Sequence, residues 1–231
     1  MKRPSPSYED LRRNSPEMFA NVPDGIEILL DPADIEAARR SVGSDEPVGV
    51  VYADRFITLV RDAVRFPGGQ LGLYLRVLTP GDVPGVVMLP LIDAGPAGPD
   101  VVLVEHYRHA TRAWHLEVPR GAGQPGETGP ENAIRELKEE LGVGLDELVP
   151  LGKVHADTGM LSGHAELYAA RISGIGPLDT AEGIRRAVVM SPLRAEELIG
   201  LGEITDGFTI AVFTRARLAG LFTEGQEHPA P

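Results

Sequence analysis

The chain has 231 residues, enough for one large domain or a domain with an extension. Its 22 Lys and Arg stand against 34 Asp and Glu, a net charge of −12 that excludes the phosphate-neutralising surface of a nucleic-acid binder and argues against an anionic membrane. The 42% of hydrophobic residues suits a globular fold. Zero cysteines remove disulfides, thiolate metal sites and thiol nucleophiles. No signal-like apolar stretch follows Met1 and no run reaches 18 apolar residues, so the expectation is a soluble cytoplasmic protein without a nucleic-acid or membrane partner.

Residues 1–47 are broken by six prolines and read as an N-terminal extension of unassigned role. Only Pro32 to Arg40 reads there as a helix, with Asp31 as N-cap and Pro in the first turn. From Val48 the pattern turns to strands. Phe56 to Val60 and Gln70 to Val77 form a hairpin around Pro67-Gly68-Gly69. Gly85 to Ile92 and Val101 to Val104 are continuously apolar, as buried central strands are, with a Gly/Pro-rich link at Ala94 to Asp100. Further strands are predicted at Ala113–Val118, Val149–His155, Ala165–Ile172 and Ala187–Met190. Helices are predicted at Glu131–Leu141, Pro192–Leu198 and Thr205–Leu221. The fold class is α/β, with a domain over 48–222 and a flexible tail over 223–231.

The central helix is clearly punctuated: Thr128 or Gly129 as cap, Pro130 at the first position, Gly142 after the last turn. On a helical wheel Ala133, Ile134, Leu137 and Leu141 are placed on one face and Glu136, Glu139 and Glu140 on the opposite one. Like-charged neighbours on a helix repel by about a few tenths of a kcal/mol per pair, and late in a helix they also oppose the macrodipole. A bound divalent cation gives a reason for such a row, and oxygen ligands alone suit Mg²⁺ or Mn²⁺ with substrate phosphates completing the shell. A solvated acidic face is the plainer account of three glutamates taken alone. Gly121-Ala122-Gly123-Gln124-Pro125-Gly126 also fits G-x-G-x-x-G, but Pro125 interrupts it and the helix opens only near Pro130, against a dinucleotide site.

Spacing decides between the two accounts. Gly121, five residues, Glu127, seven residues, then Arg135-Glu136-Leu137-x-Glu139-Glu140-x-Gly142-Val143 fills every position of the Nudix box, so the chain resembles the Nudix hydrolases over roughly residues 48–220. It is similar in particular to the ADP-ribose pyrophosphatase branch, through Tyr107-Arg108, Trp114, Glu117-Val118-Pro119-Arg120-Gly121 and Thr205-Asp206-Gly207-Phe208-Thr209.

The resemblance implies an α/β/α sandwich around a mixed β-sheet, homodimers in which the early hairpin at 55–77 takes part, and metal-dependent cleavage of a nucleoside diphosphate linked to another group. ADP-ribose, giving AMP and ribose 5-phosphate, is the first substrate it implies. It also implies Glu136 and Glu140 as principal metal ligands, Glu139 as ligand or water-polarising group, the Arg120 carbonyl in the shell and Glu117 assisting. Arg135, able to pair with Glu131 and Glu139, orients carboxylates, and Glu127 ties the loop to the helix. Arg108 and Arg112, in a run rich in Arg and His, suit substrate phosphate, and Trp114 stacking on the base.

One position departs from the branch: Gly163 stands where its loop glutamate is usual, leaving Glu139, His164 or Glu166 as proton acceptor. The alternatives are a hydrolase for another nucleotide sugar or modified nucleotide, or a catalytically weak ligand sensor. The family's isoprenoid isomerases use a cysteine, which this chain lacks.

Overall fold

The computed structural model describes residues 6–79 and 84–222, and the tail expected at 223–231 lies outside them. The chain divides into two compact units after Gly81 rather than after Pro47, and residues 157–163 fold with the first. Among the described residues no helix is long and apolar enough to cross a membrane.

The N-terminal unit contains α1 (Tyr8–Asn14), a 3-10 turn at Pro16–Phe19, β1 (Glu27–Ile28), α2 (Pro32–Ser41), β2 (Gly49–Ala53), β3 (Thr58–Arg65) and β4 (Leu71–Leu78). The sequence reading found α2 with its Asp31 cap and the β3–β4 hairpin but missed α1. That helix has two turns and is closed by a reciprocal cap between Ser7 and Asp10, too short to show a period. β3 is the sheet's spine, pairing antiparallel with β4 along one edge and with β2 and β1 along the other. Val60 and Leu78 face Phe19 and α1, whereas Ala63 on the other face meets Leu29 and Ala38. Residues 157–163 lie along β4: the Val77 N–H donates to the Met160 carbonyl (2.9 Å) and the Ser162 N–H to the Val77 carbonyl (3.0 Å).

The second unit contains β5 (Gly85–Asp93), β6 (Pro99–Arg108), β7 (Ala113–Glu117), β8 (Arg120–Gly121), α3 (Gly129–Leu141), β9 (Glu147–Val154), β10 (Ala165–Arg171), β11 (Ile184–Met190), α4 (Pro192–Gly200) and α5 (Gly207–Leu218). Its sheet runs β11-β6-β5-β10-β9, and only the β5–β10 pair is parallel. Alternation along β5 builds the layers: Val87, Leu89 and Leu91 pack with Leu198 and Phe213 from α4 and α5, and Val86 and Met88 pack with Ala133, Leu137 and Leu141 of α3. The result is the three-layer α/β/α sandwich around a mixed sheet.

β5 and β6 pair only from Leu91 to Asp93 and then diverge. β7 pairs with β6 and β8 with β5, so the segment from Glu117 to Gly121 crosses the opening between them. This crossing carries polar groups into the middle of the sheet, where the site lies.

Candidate active site

Of the two caps predicted, Thr128 opens α3, and it does so reciprocally: its hydroxyl accepts from the Glu131 N–H (3.4 Å) and the Glu131 carboxylate accepts from the Thr128 N–H (2.8 Å). It ends at Gly142, whose φ of 65° is the left-handed conformation glycine adopts at low cost. The structure does not set the apolar and acidic residues of α3 on opposite faces. Ile134 is 46% exposed, and Glu136 and Glu140 are buried at 7% and 1% beside Ala133 and Leu137. At about 100° per residue Glu140 lies only about 20° from Ala133 and Glu136 about 60°, so both flank the apolar stripe, whereas Glu139 turns outward.

Gly121 receives the first carboxylate. A Cβ there would come within 1.7 Å of the Glu136 carboxyl carbon, so only glycine leaves the space. The backbone of Arg120 hydrogen-bonds Glu140. Burial pushes the Glu136 carboxyl up, with Arg135 opposing. Burial and then the charge of Glu136 push Glu140 up to about 8. Glu140 Oε2 is buried without a hydrogen-bond partner.

This arrangement fits a hard divalent cation: two adjacent buried carboxylates, one oxygen unsatisfied, and oxygen as the only donor element. Among the described residues no three acidic or histidine side chains are disposed to hold a metal ion by themselves. Two carboxylates with water, backbone and phosphate oxygens supplying the rest is the usual habit of Mg²⁺.

Glu139 is 46% exposed at its side chain and held by Arg135 Nη1 (2.8 Å). Arg135 also reaches Glu136 (2.9 Å), Glu127 (3.2 Å) and Asn132 Oδ1 (2.5 Å). The expected pair with Glu131 does not form, because that carboxylate is committed to the cap.

The β6–β7 hairpin brings a second charged layer. Glu117 is 1% exposed and paired closely with Arg108, with Arg120 at 3.5 Å and His106 at 3.6 Å. Burial raises its carboxyl and Arg108 opposes. His106 is pushed down to about 4 by burial and then by Arg108, so it is neutral at neutral pH. Arg120 extends to Asp206 (3.5 Å) over the ring of Phe208 (5.1 Å). Asp206 caps α5 by accepting from the Thr209 N–H (2.8 Å), and a cavity of about 260 Å³ is lined by Arg120, His155, Asp206 and Phe208.

Arg112 has φ 58° and an Nη1 2.7 Å from His109 Nδ1. Trp114 is 42% exposed, edge-on to Tyr107 (5.5 Å), with the Arg185 guanidinium 4.3 Å from its ring centre.

The loop candidates separate. The His164 ring lies 5.6 Å from that of His155. Glu166 accepts from the Tyr168 hydroxyl (2.5 Å) and abuts Gly129, about 10 Å of helix rise from Glu136. Gly163 adjoins Thr79 in the N-terminal unit. Sequence reasoning missed Glu182, whose charge raises both Glu136 and Glu140. It sits in a 3-10 turn, Thr180–Glu182, in an irregular stretch with no periodic signal.

Two outcomes follow from the buried pair. A glutamate titrates near 4.5 when unperturbed, and in the metal-free native state Glu140 holds its proton up to about 8. The native state therefore binds the extra proton between these values, and stability falls as pH rises through that window. In EDTA, Glu140→Gln raises Tm at pH 8, and the gain disappears towards pH 4.5. Gly121→Ala keeps the circular dichroism of the fold but weakens Mn²⁺ binding at least about tenfold by displacing Glu136, as electron paramagnetic resonance titration will read.

Comparison with known proteins bears on this geometry. Residues 82–188 match the model of the NUDIX domain. The chain is 28% identical over 124 residues to the ADP compounds hydrolase NudE of Escherichia coli (strain K12), covering 54% of this chain and 63% of that protein, just under two thirds. It is 27% identical over 134 residues to the methanol dehydrogenase activator of Bacillus methanolicus, covering 58% and 68%. A crystal structure of an ADP compounds hydrolase superposes with a TM-score of 0.59 at 22% identity, over 73% of this chain and 89% of the other, and establishes the fold. With the whole box folded around a buried carboxylate pair, residues 82–188 carry the NUDIX domain whose model they match.

Proposed function

We propose that the protein hydrolyses the pyrophosphate bond of a nucleoside diphosphate linked to another group, with Mg²⁺ or Mn²⁺, and that ADP-ribose is the substrate, giving AMP and ribose 5-phosphate. The observation that carries this reading is the buried Glu136–Glu140 pair against Gly121, with one carboxylate oxygen unsatisfied. The ADP-compound activity in the name of NudE and the Tyr107-Arg108, Glu117 to Gly121 pattern support the substrate.

In this reading Glu136 and Glu140 hold the cation, with the Arg120 carbonyl. When bound, the cation neutralises phosphate charge and makes water more acidic. Arg135 fixes the rotamers of Glu136 and Glu139 through its fork. Glu117 is a buried counter-charge that holds Arg108 at the opening, and Arg108 and Arg112 offer guanidinium donors to phosphate. The exposed part of Trp114 offers a surface for the base. Of the acceptors expected from sequence, Glu139 is engaged by Arg135 and His164 packs by His155.

Incubation with ADP-ribose, GDP-mannose, UDP-glucose and nucleoside triphosphates, with and without Mg²⁺, tests the proposal. ADP-ribose yields AMP and ribose 5-phosphate, and EDTA or Glu140→Gln lowers turnover about a hundredfold or more. Turnover unaffected by both overturns the metal assignment. Saturable binding of ADP-ribose without turnover selects the sensor instead, a reading favoured by Gly163 at the loop-glutamate position. We also propose a cytoplasmic homodimer joined through the 55–77 hairpin. Light scattering then gives about twice the 24.7 kDa chain mass.

A further inference from the structure

The row of buried polar side chains on α3 does not begin with Glu136. Asn132, Glu136 and Glu140 stand at i, i+4 and i+8, one above another along the helix, and Asn132 is shut off from solvent at 0% exposure. An asparagine inside a helix gains little from helix propensity, and its amide must find partners once buried. Only half of it does. Oδ1 accepts from Arg135 Nη2 (2.5 Å), whereas Nδ2 is buried without a hydrogen-bond partner among the described residues. The guanidinium fixes this orientation, because the flipped amide sets donor against donor.

The reason for keeping an unpaired donor lies on the arginine. Arg135 Nε donates to Glu127 (3.2 Å), Nη1 serves Glu139 (2.8 Å) and Glu136 (2.9 Å), and Nη2 serves the Ala122 carbonyl (3.2 Å) and Asn132. The five N–H donors of a guanidinium thus meet five acceptors, two in the loop before α3 and three on the helix itself. Among the three on α3, Asn132 alone carries no charge, so it holds Nη2 without drawing Nη1 away from the carboxylates. A planar fork turns as one body. With Nη2 held on both sides, Nη1 stays aimed between Glu136 and Glu139. Without Oδ1, Nη2 keeps only the Ala122 carbonyl, and the fork is free to swing about it.

We propose that Asn132 is a positioning residue which, through Arg135, sets Glu136 and Glu139 for a divalent cation. This rests on the cation reading above. Asn132 touches neither the cation nor the phosphates; it acts by completing the set of acceptors that holds the guanidinium still.

Asn132→Ala, Arg135→Ala and the double variant test this by Mn²⁺ titration read by electron paramagnetic resonance. Asn132→Ala removes the unpaired Nδ2 together with Oδ1, and it keeps the circular dichroism of the parent. Its Mn²⁺ binding weakens about tenfold. In the Arg135→Ala background the same substitution changes Mn²⁺ affinity by less than about twofold, since a residue acting through Arg135 has nothing left to act on. An asparagine that only supports the fold gives the same loss in both backgrounds, and that result overturns the proposal. So does a single variant whose Mn²⁺ affinity stays within about twofold of the parent. If Asn132→Ala does not fold, Asn132→Asp keeps the acceptor in the same shape: parental Mn²⁺ affinity then supports the proposal, and a loss of about tenfold overturns it. If the parent binds no Mn²⁺, the cation reading falls first; a parent that binds it, with an Asn132→Ala that binds it equally well, removes only the inference made here.

Discussion

Two carboxylates side by side in a protein interior repel one another and lose their hydration, and the site is organised around that cost. Glu136 and Glu140 sit one helical turn apart on α3, both buried, with Gly121 and the Arg120 backbone against them. Without a counter-charge the inexpensive response is to keep a proton, which is why burial and Glu136 hold Glu140 near 8. With a divalent cation the same burial favours binding, because the ion meets ligands already oriented and poorly hydrated. The rest of the second unit serves to maintain this arrangement.

The sheet supplies the place. Because β5 and β6 separate after a short paired stretch, the Glu117 to Gly121 segment crosses between them and brings glycine under one helix and arginine towards another. Arg120 and Gly121, neighbours in sequence, thus serve opposite faces. Gly121 pairs with Val86 on the α3 side, while Arg120 pairs with Val87 and reaches Asp206 and Phe208 at α5. The Val118 N–H donating to Thr209 (3.0 Å) ties the crossing to the same helix start. The Glu136–Glu140 face is therefore braced from behind by α5, and the resemblance at Thr205 to Thr209 acquires a physical content: Asp206 caps, and Thr209 secures the crossing.

Much of this was legible in the sequence where local chemistry decides. The α3 boundaries followed from Thr128, Pro130 and Gly142, and the central strands from unbroken apolar runs. The box spacing singled out Glu136, Glu140 and Gly121, and the structure brings the first two together beside the third. One failure was local: the wheel reading set the glutamates opposite Ala133, although 100° per residue puts Glu140 about 20° from it, and Ile134 is the residue left exposed. The others were long-range. Arg135 was expected to meet Glu131 by helical spacing, yet it meets Glu127 across the loop, since Glu131 closes the cap. Glu182 escaped notice because it sits in a short 3-10 turn with no periodic signal, placed by the pairing of β11 with β6 that the sequence does not reveal. The boundary at residue 47 followed the proline pattern, whereas β3 binds the early helices and the 58–78 hairpin into one unit.

Charge balance adds a final constraint. A chain with net charge −12 repels a diphosphate at long range, although at about 0.1 M salt that repulsion is screened within about 10 Å. Any attraction must then arise close to the opening, where Arg108 and Arg120 come from a single stretch of the β6–β8 crossing, with Arg112 at the hairpin tip. Arg108 and Arg120 each contact Glu117, and Arg112 leans on His109 and the Tyr107 ring. A buried glutamate at the centre of such a cluster looks self-defeating for binding an anion. It also keeps Arg108 extended and in place, lowering the ordering cost that a long side chain otherwise incurs when a phosphate arrives. The site thus holds its anions and its cations in alternating layers, Glu136 and Glu140, then Arg108 and Arg120, with Glu117 between the guanidiniums. In the function proposed above, a phosphate bridged by a cation would meet both signs of charge at the boundary of those layers.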